Sequence, residues 1–145
     1  MPSWIVQGYE DYARRLPREC TLRLVEIPTG RRSRNQPSAP AVVEEGRRML
    51  AAIPERSLVV ALDVGGSAWS TPALASHLQE WMLSGRDIVL LVGGPDGLSG
   101  DCLRRADLHW SLSALTLPHA LVRVVLAEQL YRAWTIISGH PYHRS

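Results

Sequence analysis

The sequence predicts an α/β fold with a mostly parallel sheet flanked by helices, and three observations carry that expectation. Two short runs, LVVALD (58–63) and IVLLVGG (88–94), are almost wholly apolar and rich in Val and Leu. Such runs suit strands covered on both faces, as in a parallel sheet. Segments with apolar residues at helical spacing lie between and around them. The two periods alternate along the chain, which is the order of strand–helix–strand units.

In order, Ile5, Tyr9, Tyr12 and Leu16 recur at helical spacing, so residues 3–16 read as an amphipathic helix stopped by Pro17. Thr21–Ile27 (TLRLVEI) alternates apolar and polar residues and reads as a strand. PTGRRSRNQPSAP (28–40) is rich in Pro, Ser and Arg and reads as a surface loop. A second helix spans 40–53, with Pro40 tolerated in its first turn. Between the two apolar strands a helix is expected near 72–84, capped by Ser70 or Thr71, with Leu74, Leu78, Trp81 and Met82 on one face. A turn follows Gly94, then a short helix at 100–106, a strand-like run LHWSLSALTL (108–117), a long helix at about 119–138 and a polar tail. That last helix leaves only a narrow polar stripe, Glu128–Arg132–Thr135. A helix apolar almost all round must be covered on more than one side, which in a domain this small points to a second protomer. Arg123 falls on its opposite, apolar face and needs a partner, whether across such an interface or in a buried ion pair of its own chain.

The chain has 145 residues and 16.1 kDa, the size of one domain with an ordinary core. Every one of its 16 basic residues is Arg. Residues 1–56 carry 10 Arg against 7 acids, and residues 57–145 carry 6 against 7. A net charge of +2 is too small for a protein that coats nucleic acid by charge alone. Cys20 and Cys102 stand far apart with no CxxC pair, so neither a structural zinc site nor a disulfide scaffold is expected. No run approaches the roughly 20 apolar residues of a membrane span, and the N-terminus lacks the pattern of a signal peptide. The expectation is a soluble cytoplasmic protein without metal or membrane partner.

Chemistry concentrates at strand ends. GGPDGLSG (93–100) follows one apolar run, LDVGG (62–66) ends the neighbouring one, and SLSALTLP (111–118) ends a third. Neither a GK[ST] phosphate loop nor a GxGxxG fingerprint is present. Three small-residue turns at one edge of an open sheet make a concavity lined by backbone N–H and C=O groups, where such sheets bind ligands. That lining suits an adenine or a ribose better than a phosphate cluster. Tight turns alone would account for the glycines equally well. Arg31, Arg32 and Arg34 are either a solvated loop or a phosphate clamp. His77 and His109 read as structural or solvent-facing, His119 after Pro118 reads as the start of a helix, and His140 and His143 form an HxxH on an irregular tail without further ligands.

LVGGPDGLS and WSLSALTLPHALVRVVLAEQLYRAWTIISGHPYHR closely resemble the ribosomal RNA large-subunit pseudouridine N3-methyltransferase H family, one of the SPOUT trefoil-knot methyltransferases. LRLVEIPTGRR, EGRRMLAAI and WSTPALASHLQEWMLSGRDI resemble its earlier segments, so the likeness runs along essentially the whole chain. The resemblance implies a single domain over 1–145 with a deep C-terminal knot, an exception to the rule that chains avoid knots. It also implies a homodimer that uses S-adenosylmethionine to methylate N3 of a pseudouridine in large-subunit rRNA within the ribosome. The family's cofactor contacts fall on Leu62, on Gly93, and on Leu112, Ser113, Ala114, Leu115, Thr116 and Leu117. Tyr142, His143 and Arg144 are implied as catalytic, through base positioning and anchoring, and His140 with the three loop arginines as RNA contacts. The family opens on a further strand before the helix that begins here at Pro2, so that first strand is expected to be absent. The alternatives are a ribosome- or RNA-binding dimer that keeps the fold without turnover, and a nucleotide-binding α/β protein of other chemistry.

Overall fold

The structure, a computed structural model, describes residues 2–28 and 39–144. Two compact units are made from interleaved segments: Met1–Leu24, Trp69–Gly85 and Ala120–Ser145 form one, Val25–Ala68 and Arg86–His119 the other.

The second unit holds the sheet. Strands β1 (Leu58–Ala68), β2 (Ile88–Leu91) and β3 (Leu108–Ser111) run parallel in the order β2-β1-β3. The α/β expectation with a parallel sheet therefore holds for these three strands. Val59, Val60 and Ala61 on the central strand are wholly buried, as the unbroken apolar run requires. Helices α2 (Ala39–Ala52) and α4 (Gly100–Arg105) belong to this unit. Met49, Leu50 and Ile53 pack with Val59, Val89, Leu91, Leu98, Cys102 and Ala106 into one apolar cluster. The α2 backbone comes close to α4 at Gly46, where a Cβ would overlap the Ser99 side chain. Ser99 caps α4 by accepting the Cys102 N–H, and the Cys102 thiol in turn donates to the Gly46 carbonyl at 3.6 Å.

Asp107 fixes the register of β3. Its N–H donates to the Val59 carbonyl at 2.7 Å, and its Oδ2 accepts the Val59 N–H at 2.9 Å. Arg105 reaches the same carboxylate at 3.3 Å and also donates to the Ser57 carbonyl, which Arg86 bonds as well. The backbone bond from Val59, aided by the nearby Arg105 and Arg86 charges, holds the Asp107 carboxyl below its usual range against some desolvation.

The first unit is helical: α1 (Ser3–Ala13), α3 (Thr71–Ser84) and α5 (His119–Ser138, joining this unit from Ala120), followed by a 3-10 turn at Pro141–Arg144. Ser70 caps α3 through the Ala73 N–H, Pro72 lies in its first turn, and Gly85 ends it at φ 71°. Trp69, just before α3, stacks on His77 with ring centroids 4.0 Å apart, and Trp81 lies tilted against both. Thr71 donates to Gln129 at 2.8 Å, tying α3 to α5. Arg123 is half-buried near Tyr9, whose phenol is raised by burial while the Arg123 charge pulls the other way.

One predicted element is corrected. Thr21–Ile27 is not a strand; among the described residues it pairs with neither sheet edge, and Val25 is 54% exposed. Alternation assigns side chains to faces but supplies no hydrogen-bonded neighbour, and a strand needs both. Cys20 lies just before it, half-buried, with its thiol pushed up to about 11 by burial and the Glu19 charge, so it is a poor nucleophile.

Candidate functional site

The strand register brings the three predicted turns to one sheet edge. Ala61 pairs with Leu91 on one side, and Leu62 pairs with Trp110 on the other. Leu62 is thus one residue past the last β1–β2 pair, Gly93 is two residues past Leu91, and Leu112 follows the last residue of β3. Gly93 and Leu112 follow the carboxyl ends of β2 and β3, and Leu62 lies level with those ends although β1 itself runs on to Ala68; this is the edge where open sheets bind ligands.

Each turn has its own local cause. After Leu91 the chain closes on itself: the Gly97 N–H donates to the Gly94 carbonyl at 3.0 Å, Gly97 sits at φ 82°, and Pro95 and Asp96 form the tip. A Cβ on Gly93 would stand 2.6 Å from the Gly97 carbonyl carbon and 2.8 Å from the Leu98 nitrogen, so the turn requires glycine there. After Ser111 two hydroxyls replace the ladder. Ser111 Oγ donates to the Ser113 carbonyl at 3.1 Å, and Ser113 Oγ accepts the Leu115 N–H at 2.9 Å. The expected strand 108–117 therefore ends at Ser111, and 112–117 form an irregular segment with Leu115 73% exposed.

The turn expected to end the strand at LDVGG (62–66) is instead a bulge within β1, which continues to Ala68. Trp110 is the register partner of both Leu62 and Ser67, so Asp63, Val64, Gly65 and Gly66 bulge out of β1 between two contacts to one residue. Gly66 presses against β3, where a Cβ would stand 2.6 Å from the His109 carbonyl carbon. Val64 is 65% exposed, and the half-buried Asp63 carboxylate leans back toward the Gly65 Cα. The signal available in the sequence was a lone carboxylate breaking an apolar strand just before a Gly-Gly pair.

The predicted tail residues lie in the helical unit. The Tyr142 hydroxyl donates to Glu128 Oε1 at 3.1 Å, its ring lies 4.7 Å from Tyr131, and the Arg132 guanidinium stands 4.9 Å from its centre. Glu128 also pairs with Arg132 at 2.6 Å, so the helix's polar stripe is turned toward the tail. Burial, the hydrogen bond with Tyr12 and the Glu128 charge together raise the Tyr142 phenol well above its ordinary value. The His140 N–H donates to the Thr135 carbonyl across Gly139 at φ 78°, and His140 Nδ1 accepts the Tyr142 N–H. His143 is half-buried with Nδ1 unpartnered, and Arg144 is exposed. Tyr142 is thus the anchor that fixes the direction of the two residues after it; Glu128 and Tyr12, which hold it, escaped sequence reasoning because their roles depend on contacts far along the chain.

Arg31, Arg32 and Arg34 lie outside the described residues. Among the described residues no three His, Cys, Asp or Glu side chains converge as metal ligands, and no helix is long and apolar enough to cross a membrane.

Comparison with known proteins places this geometry among relatives. Residues 1–143 match the family model described as a predicted SPOUT methyltransferase. The chain is 60% identical over 144 residues to the ribosomal RNA large subunit methyltransferase H of Methylococcus capsulatus, covering 99% of this chain and 93% of the relative. It is 60% identical to the protein of that name from Alkalilimnicola ehrlichii, over 100% of this chain and 93% of the relative. The Hahella chejuensis protein of the same name is 55% identical over 99% of this chain and 92% of its own length.

Proposed function

The chain belongs to the SPOUT methyltransferase family, and from that premise we propose that it is an S-adenosylmethionine-dependent rRNA methyltransferase acting on N3 of a pseudouridine in the large ribosomal subunit. The observation that carries the reading is the convergence of Leu62, Gly93 and Leu112–Leu117 at one sheet edge, in a chain 55–60% identical to relatives named for large-subunit rRNA methylation. The chain acts as one methyltransferase domain, with a C-terminal trefoil knot, a homodimeric state and the ribosome in the cytoplasm as its setting.

The residues present fit the cofactor. Gly93 offers backbone without a side chain, and residues 112–117 form an irregular segment whose backbone is not committed to a strand ladder. Leu62, Gly93, Leu112, Ser113, Ala114, Leu115, Thr116 and Leu117 would hold it, the peptide groups reading an adenosine by hydrogen bonds while the leucines exclude water. Bound there, it supplies a methyl group on a sulfonium, already a good electrophile. The protein's task is then alignment and water exclusion, both of which lower the barrier to an in-line displacement. A helical uridine must leave its stack to be reached. The anchored tail serves that step, with Tyr142 fixing the turn, His143 positioning the base and Arg144 gripping phosphate or base. His140, Arg31, Arg32 and Arg34 meet surrounding RNA. Arg suits that task because its planar fork matches phosphate oxygens.

The test uses the purified protein, methyl-labelled S-adenosylmethionine and ribosomes lacking the modification. The expected result is incorporation of one methyl per large subunit at a pseudouridine N3. Cofactor binding without incorporation would support the inert RNA-binding dimer, and absence of cofactor binding would overturn the assignment altogether.

A further inference from the structure

We infer that Asp63 is a cofactor-binding residue whose carboxylate takes the ribose diol of the adenosyl group, an assignment that rests on the methyltransferase reading above. The bulge between Leu62 and Ser67 carries it level with the carboxyl ends of the two flanking strands, directly after the residue matched to the family's cofactor contacts. Among the described residues the side chain makes no hydrogen bond or ion pair, although it is half-buried. The carboxylate of Asp107, beside the same sheet, behaves differently: it is engaged by Val59 and Arg105.

A carboxylate accepts and never donates, and leaving one half-buried without donors costs free energy that a ligand can recover. A ribose diol presents two hydroxyl donors side by side, matched to the two carboxylate oxygens. The acidic residue that takes ribose hydroxyls in dinucleotide sites of open parallel sheets works by the same chemistry. The surroundings agree, since Gly65 places no side chain next to the carboxylate, where a Cβ would stand 3.4 Å from Asp63 Oδ2, and Gly66 is held against the His109–Trp110 backbone. The carboxylate is therefore offered from a braced support rather than from a free loop.

The experiment is calorimetry with S-adenosylhomocysteine and with 5′-methylthioadenosine, which keeps the ribose but lacks the amino-acid end. It compares the wild type with Asp63→Asn and Asp63→Ala, each checked for native circular dichroism and Tm. Loss of hydrogen bonds to a charged group should weaken S-adenosylhomocysteine roughly tenfold to a hundredfold, and 5′-methylthioadenosine by the same factor. Asp63→Glu, which moves the carboxylate by one methylene in a chain that keeps its charge, should lose affinity for both ligands as well. Wild-type affinity in the Asn and Ala variants would overturn the assignment while leaving the methyltransferase reading intact. So would a loss confined to S-adenosylhomocysteine, since that would pair Asp63 with the ligand's ammonium. A wild type that binds neither ligand would overturn the methyltransferase reading and this inference with it.

Discussion

At the scale of single residues, two glycines are fixed by backbone rather than by conformation. Gly66 and Gly93 each lie where a Cβ would stand 2.6 Å from another residue's carbonyl carbon, a separation real Cβ atoms do not adopt. The obstacle is main chain, which cannot swing away as a side-chain tip can. Gly66→Ala and Gly93→Ala should therefore each cost about 1–3 kcal/mol of stability, the usual penalty of forced overpacking. Both should also lower cofactor affinity, by different routes. At Gly93 the clash is within its own turn, at Gly97 and Leu98, and opening that turn disturbs the proposed adenosine site directly. At Gly66 it falls between β1 and β3, and relief of the strain shifts the Asp63 bulge. Urea denaturation measures the first effect, and variants within about 0.5 kcal/mol of wild type would show that the backbone gives way easily. The sequence marked the turn at 93–100 through its place after an apolar run, and the family resemblance put a cofactor contact on Gly93. It gave no such mark to Asp63, because a bulge is a property of pairing and cannot be seen in one strand.

At the scale of elements, legibility followed the range of the interactions involved. The α3 cap was readable because Ser70 and Pro72 act on their own first turn. The extent of β1 was not, since its return to the ladder at Ser67 depends on Trp110, forty-three residues further on. Asp107 is another long-range device, binding the Val59 N–H with its side chain and the Val59 carbonyl with its own N–H, so that β3 is clamped to the central strand before its ladder begins. This clamp has a pH dependence of defined sign. The folded carboxyl lies below its ordinary 3.8, so in acid the unfolded chain takes up the proton first. The clamp's stabilising contribution is complete above about pH 4 and is lost as pH falls through the folded value. Asp107→Asn keeps an acceptor but removes the charge. Its Tm should be lower than that of the wild type at pH 7, and the gap should narrow as both are titrated from pH 4 toward pH 2. A gap that stays constant across that range would show that the charge on Asp107 contributes nothing to holding β3.

At the scale of the whole molecule, the longest helix carries the strongest argument for a second copy. Leu121, Val122, Val124, Val125, Trp134, Ile136 and Ile137 on α5 are only half-buried in the single chain, while Ala127, Leu130 and Ala133 are buried. The polar stripe of the same helix is already occupied, Glu128 and Arg132 by each other and by Tyr142. What α5 leaves half-covered is therefore largely apolar, the composition expected of the buried centre of a homodimer interface. The proposed dimer also bears on RNA recognition. A protomer with a net charge of +2 gains little from the phosphate backbone alone, so selectivity must come from a shaped surface, which two copies of the anchored tail can build. Sedimentation velocity at micromolar concentration should accordingly give a species of twice 16.1 kDa, stable to a rise in salt because the contact is apolar. A 16.1 kDa species that transfers methyl groups at full rate would sever turnover from dimerisation and leave the half-covered face of α5 to some other surface of the ribosome.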